Sequence, residues 1–358
     1  MTQEELVGKV QTVLGIIDAE SLGVTMAHEH VLSDVSAYFV EPTEASDRKL
    51  AHEPVRMDNL CWVRNHCSSH MDDMKLTDEQ VAFKEIMLFK MAGGNTIVDM
   101  TCIGVYRDPL GLCRISRATG VNIVMGAGYY VALSHPPELA DMSEEKIAEG
   151  IVRDIVVGVG DTGVRAGIIG EIGCSLPLEE SERKVLRACA AAQRRTGVAI
   201  NIHPSPSDDL ALEIIKILDD AGADLSRTVI SHVHPWGFSR TTLHALADAG
   251  CYIEYDSFGQ PHAGIHPLYF GRVLDFSSAV RRIEDIMQLI ADGYLNHILV
   301  SQDVCFKHHL VTYGGCGYAH ILRDVVPFMR HKGMSDEQIH TLMVENPKRI
   351  LTFAPVKD

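Results

Sequence analysis

The sequence predicts a (β/α)8 barrel, an α/β fold with its working site at the C-terminal ends of the strands. Three observations predict it. Eight short apolar runs recur along 358 residues, most are followed by an amphipathic stretch, and five end in histidine or a carboxylate. Near-continuous apolar runs are the signature of parallel strands covered on both faces, and eight alternations suit a closed barrel better than an open sheet.

The runs fall at 23–30, 96–102, 122–128, 166–173, 198–203, 228–232, 251–255 and 297–303. Helical periodicity occupies 77–91, 143–157, 181–196, 210–218, 241–249 and 278–293. In the first of these, Val81, Ile86, Leu88 and Phe89 form the apolar face. Two stretches are too long for ordinary loops: 34–76, which carries His52, Trp62, His66 and His70, and 257–277. Segments following strands build the active face of such a barrel, so both are expected near its mouth. No repeat, low-complexity tract or linker interrupts the chain, and residues 1–358 are expected to form one domain.

Hydrophobic residues at 46% and charged residues at 22% are enough for a folded core. A net charge of −16, from 32 basic and 48 acidic residues, repels phosphate backbones and anionic lipid. Nucleic-acid and membrane partners are therefore not expected, whereas a small-molecule substrate is. An anionic one would need local cations, which bound metals supply in part. Nine cysteines, an odd number with no C-x-x-C pair, read as reduced thiols of a cytoplasmic protein. The acidic start lacks a leader pattern, and no apolar run approaches the ~20 residues that span a bilayer.

The chemistry begins at His28-Glu29-His30. On a strand, residues two apart share a face, so both imidazoles would point into the barrel and could share one metal ion. Four more strands end in ligand types: Glu171, His203, His232 and Asp303. Imidazole nitrogen and carboxylate oxygen suit zinc or a similar divalent ion, and Glu171 has an oxygen for each of two ions. A buried ion pair would explain Glu171, and a helix cap Asp303, each taken singly. Together with three histidine-bearing strand ends they point to a metal site.

This pattern resembles the phosphotriesterase family of the amidohydrolase superfamily, and in particular its animal branch. The likeness runs through Gly8-Lys-Val-Gln-Thr-Val-Leu-Gly, His28-Glu-His, Gly167-Ile-Ile-Gly-Glu-Ile-Gly-Cys-Ser, Glu182-Arg-Lys-Val-Leu, Ile202-His-Pro, Glu254-Tyr-Asp and Glu345-Asn-Pro-Lys. It implies that His28, His30 and Asp303 hold one metal and His203 and His232 the other, with Glu171 and a hydroxide between them. Founding members carry a carboxylated lysine where this chain has Glu171, so carbon dioxide is not needed and organophosphate activity does not transfer with the family. The resemblance implies hydrolysis of N-acetyltaurine, and of other N-acyl taurines, to a carboxylate and taurine. It also implies a homodimer.

Asp303 is expected to serve as ligand and general base together, with no serine or cysteine nucleophile. Cys102 and Cys305 are read as inert buried thiols. The substrate's anionic group needs donors, for which Tyr130, Arg272, Lys307 and His308 are the candidates. His234 shares the parity of His232, but Pro235 ends the strand, so its role stays open between substrate-facing, outer-layer and exposed. The Gly-rich turn at 313–318 is a further candidate for a close approach to ligand. Two alternatives remain: a lactonase or phosphoester hydrolase on the same site, and a metal-bearing binding protein without turnover.

Overall fold

The computed structural model describes residues 6–235, 237–260, 264–269, 272–276 and 278–356, with 264–269 and 272–276 described by backbone alone. Eight parallel strands form its centre: β1 (Thr25–Glu29), β2 (Thr96–Asp99), β3 (Asn122–Ala127), β4 (Ile168–Gly173), β5 (Ile200–His203), β6 (Thr228–Ile230), β7 (Tyr252–Tyr255) and β8 (Ile298–Val300). They pair in sequence order. The ring closes where the ends of β8 and β1 meet. There the Asp303 N–H donates to the His28 carbonyl at 3.2 Å, and the His28 N–H to Ser301 Oγ at 2.9 Å.

Outside the ring lie α1 (Glu79–Met91), α2 (Pro109–Thr119), α3 (Glu144–Val156), α4 (Glu180–Thr196), α5 (Asp208–Asp220), α6 (Arg240–Asp248) and α7 (Ala279–Ala291). α2 is absent from the sequence-derived helices. It starts on Asp108, whose side chain accepts from the Gly111 N–H at 2.9 Å, has Pro109 in its first turn, and stops at left-handed Gly120.

Alternation along the strands separates two apolar layers. Ala27, Val98, Val124, Ile168, Val229, Tyr252 and Leu299 fill the barrel interior, which Val10, Leu22, Ile350 and Leu351 close from below. Their strand neighbours Ile97, Ile123, Ile169, Ile230, Ile253 and Ile298 face outward against helix residues such as Phe89, Ile151, Leu186, Ile214 and Ile286. Each large apolar side chain so buried contributes about 1.5–3 kcal/mol.

The alternation breaks at two places that matter. Thr25 pairs with Thr96 and Met26 with Ile97, but Glu29 with Asp99, so β1 carries one extra residue. β4 likewise pairs Ile169 with Ile200 but Ile172 with Ile202. Such bulges re-aim side chains. They let Ala27 belong to the interior layer while His28 also faces inward, and they bring Glu171 inward three residues after Ile168.

The 34–76 insertion carries helices Ala45–Ala51 and Leu60–Asn65 and is pinched at its base by the strand pair Ser33–Asp34 and Lys75–Leu76. It is clasped to the loop after β8. Lys307 Nζ lies 2.6 Å from Asp72, His308 Nδ1 2.7 Å from Asp73, and the His308 N–H donates to Asp73 at 2.8 Å. The second insertion contains an antiparallel backbone pair, Gly264–Tyr269 with Arg272–Phe276. Among the described residues, no helix is long and apolar enough to cross a membrane.

Candidate metal centre

The six expected ligand residues come together above the interior layer, all buried. Glu171 is the hub. Its Oε1 lies 3.3 Å from His30 Nε2, and its Oε2 lies 3.0 Å from His203 Nδ1, 3.3 Å from His232 Nε2 and 3.4 Å from His28 Nε2. Asp303 Oδ1 completes the His30 side at 3.6 Å from Nε2. His28, His30 and Asp303 bring ligand atoms within 4.8 Å of one another, and so do His28, Glu171 and His232.

A glycine allows the hub to sit so deep. Gly170 has φ +147°, and a Cβ there would meet the Asn201 Cβ and carbonyl at 2.8 Å, so an ordinary residue would have to displace β5. At the other strand ends the backbone itself is turned: His232 (φ 57°) and Asp303 (φ 51°) adopt the left-handed region, uncommon for non-glycine residues. Both lie past the last regular strand residue, which is why the runs 228–232 and 297–303 outlast β6 and β8.

An outer ring fixes the imidazoles. His28 Nδ1 lies 3.0 Å from Glu254 Oε2, His30 Nδ1 3.0 Å from Thr101 Oγ1, and His232 Nδ1 3.0 Å from Asp256 Oδ1. A carboxylate only accepts, so the Nδ1 of His28 and of His232 donates outward, which leaves Nε2 as the ring atom turned inward to Glu171 and free to meet a cation in place of a proton. Glu254 is held by the Asn201 amide at 2.9 Å and Ser231 Oγ at 2.7 Å, and Asp256 accepts the His232 N–H at 2.8 Å. Ligating histidines in metal sites are oriented in this manner.

The electrostatics ask for a cation. Glu171, Glu254, Asp256 and Asp303 are buried together, and no described lysine or arginine nitrogen lies within 4.0 Å of any of them. Burial opposes charge on His28 and His232, yet the facing carboxylates outweigh it. Glu171 and Glu254 hold His28 well above the usual imidazole value, and Asp256 and Glu171 push His232 up to about 10. His203 goes the other way, lowered by burial in spite of Glu171. Burial also acts against ionised Glu171, but His203 and His28 bring it well below the ordinary carboxylate range. His28 Nε2 is buried without a hydrogen-bond partner. Converging ring nitrogens, excess buried carboxylate and that orphan nitrogen fit a divalent cation.

The other sequence candidates separate. Tyr130 lines the cavity over the centre, with its hydroxyl 3.4 Å from both His203 ring nitrogens. Lys307 and His308 are engaged by Asp72 and Asp73 and do not line that cavity. His234 faces away from it, with Nδ1 accepting from Arg282 Nε at 3.3 Å and Nε2 3.4 Å from Asp285. The side chain of Arg272 lies outside the described residues. Missed by the sequence reading were Thr101, Asn201, Ser231, Glu254 and Asp256 as holders of the candidate ligands, and Gln260, whose amide lies 3.5 Å from Asp303 Oδ2. Glu254 and Asp256 are two apart at the end of a strand, the same signal that exposed His28 and His30.

A barrel with buried imidazoles and carboxylates gathered at its mouth defines the class as a metal-dependent hydrolase. The phosphotriesterase family model matches residues 8–351. The chain belongs to the phosphotriesterase family. It is 42% identical to an N-acetyltaurine hydrolase of Xenopus tropicalis, over 97% of this chain and 99% of the relative. It is 40% identical to one of Dictyostelium discoideum, over 98% and 99%. Among solved structures it resembles a resiniferatoxin-binding protein from Rhodobacter sphaeroides, at 36% identity and TM-score 0.91, over 96% of this chain and 95% of that one.

Proposed function

We propose that this chain hydrolyses N-acetyltaurine to acetate and taurine at a centre of two divalent ions, with zinc the ion best suited to the donor set. The observation that carries the reading is the division of Glu171: Oε1 turns to His30, beside Asp303, and Oε2 to His203 and His232, with His28 between the two groups at 3.4 Å from Oε2. His28, His30 and Asp303 would hold one ion and His203 and His232 the other, with one oxygen of Glu171 for each. Relatives named for this activity support the substrate. A cavity stands over the centre to receive a small substrate, lined among others by Tyr38, Tyr130, Gln260 and Phe306.

Divalent ions at such a centre lower the pKa of water to roughly 7 and polarise a substrate carbonyl. Asp303 takes the proton of the attacking water as its oxygen adds to the amide carbon. It returns that proton to nitrogen as the C–N bond breaks, releasing carboxylate and amine. The Gln260 amide steadies the second Asp303 oxygen, and Tyr130 presents its hydroxyl to the substrate from the cavity wall. Cys102 and Cys305 take no part, since burial pushes both thiols well above their usual range. Arg272 remains the sequence candidate for the sulfonate.

Metal analysis together with taurine release, on wild type and Asp303→Ala, tests the reading. About two ions per chain, release of taurine and its loss in the variant are expected. Two ions with turnover only of a lactone or phosphotriester would replace the substrate. No stoichiometric metal after reconstitution would sink the catalytic reading.

A further inference from the structure

A second cavity, far larger than the first at about 520 Å³, lies outside the barrel between α6 and α7. Its floor is apolar, made by the buried side chains of Val233, Leu243, Tyr255 and Leu289. Its rim carries Arg240 and Arg281, whose side chains are 49% and 69% exposed. His234, the histidine left without a role by the metal centre, stands in its wall.

The charges around it run against helix electrostatics. α1, α3, α4 and α5 place aspartate or glutamate in the first turn, where the helix end carries partial positive charge. α6 and α7 have no acid there. α6 begins with Arg240, and α7 carries Arg281 and Arg282 at its start. Two positive helix ends, each with added arginine, therefore face one cavity, a combination that favours an anion. One carboxylate, Asp285, lines the wall, 3.4 Å from His234 Nε2 and 3.7 Å from Arg281 Nε, and Arg240 also reaches Asp292 at 3.2 Å. Behind His234, Arg282 is fully buried. It donates to His234 Nδ1 and to the Ser257 carbonyl, its Nη2 has no hydrogen-bond partner among the described residues, and Asp256 is the carboxylate whose field acts on it. Among the residues lining the cavity, two arginines stand against one carboxylate, over an apolar floor.

We propose that this cavity binds an amphipathic organic monoanion, its acid group at Arg240 and Arg281 and its apolar chain over Val233, Leu243, Tyr255 and Leu289. The volume lies within the few hundred cubic ångströms usual for small-molecule sites, and the lining joins polar groups at the rim to apolar side chains beneath. The site is separate from the metal centre. Arg282 links the two neighbourhoods, through His234 on one side and Ser257, which lines the catalytic cavity, on the other.

Calorimetric titration of the metal-loaded full chain with decanoate, decyl sulfonate and neutral decanol tests this. Both anions should bind at one per chain and decanol far more weakly. Binding of one anion alone would identify the preferred acid group. Arg281→Glu, on the exposed rim, should weaken binding by about tenfold or more. Leu243→Trp should abolish it by filling the cavity, and Asp303→Asn should leave it intact. Unchanged catalytic turnover in Arg281→Glu and Leu243→Trp would confirm that they fold. The proposal is overturned if neither anion binds, if decanol binds equally well, if Arg281→Glu binds as wild type does, or if Asp303→Asn removes binding.

Discussion

The metal centre and the clasp between the 34–76 insertion and the loop after β8 use the same residue types to opposite ends. In the clasp, every charge meets its complement within the chain: Asp72 takes Lys307, and Asp73 takes both the backbone and the ring of His308. In the centre, donor atoms of one kind face each other. Four imidazole nitrogens crowd around one carboxylate, and buried acids outnumber any described cation that could pair with them. Paired charge locks a fold, whereas convergent unpaired charge waits for a ligand. Residue type alone does not distinguish the two, because Lys307 and Asp303 lie four residues apart on one loop.

Breaking the centre should therefore destroy chemistry and leave the fold. Glu171→Ala removes the oxygens that face both halves of the cage. Activity should fall by more than about 10³-fold, with metal content well below that of wild type and far-ultraviolet circular dichroism unchanged. Full metal retention in that variant would refute the bridging role. One step outward, Glu254→Gln removes the charge that orients His28, and metal affinity should drop by about 10–100-fold in a chelator competition. Activity should return at saturating metal, since no reacting group is altered.

Breaking the clasp should do the reverse. Asp73→Ala leaves the ring and backbone N–H of buried His308 without their acceptor, and the loss should be about 3 kcal/mol in denaturant unfolding. Metal affinity should stay at the wild-type value. A variant that lost metal without losing stability would erase the distinction between the two regions.

The sequence exposed the centre better than the clasp, for a physical reason. The candidate ligand residues stand at strand ends, where period-two alternation and apolar runs fix both position and direction, so the convergence of His28, His30, Glu171, His203, His232 and Asp303 is legible. The extra residues in β1 and β4 are not, because a bulge depends on the partner strand's count. Lys307 and His308 read as free cations because their partners lie 235 positions away, in a loop whose path sequence periodicity does not set. α2 was legible and overlooked, since Asp108, Pro109 and Gly120 mark both its ends. The 520 Å³ cavity was invisible, arising from how α6 and α7 pack.

The smallest effect belongs to the outer half of the clasp, and its pH dependence gives it a sign. Burial pushes Asp72 upward, but the hydrogen bond from Lys307 outweighs this and holds it below the ordinary 3.8. A carboxylate whose folded pKa is depressed adds stability above its unfolded pKa and loses it as pH falls through the folded value. The Asp72–Lys307 contribution should thus be full at neutral pH and vanish as acidity increases below 3.8. Both side chains are partly exposed, at 33% and 18%, so the gain should lie within about 0.2–1 kcal/mol and shrink in salt. Lys307→Met should cost that amount at pH 7 and clearly less at a pH well below 3.8. An equal loss at both pH values would mean that Lys307 acts through packing against Tyr313, whose ring centre lies 5.6 Å from its ammonium, rather than through charge on Asp72.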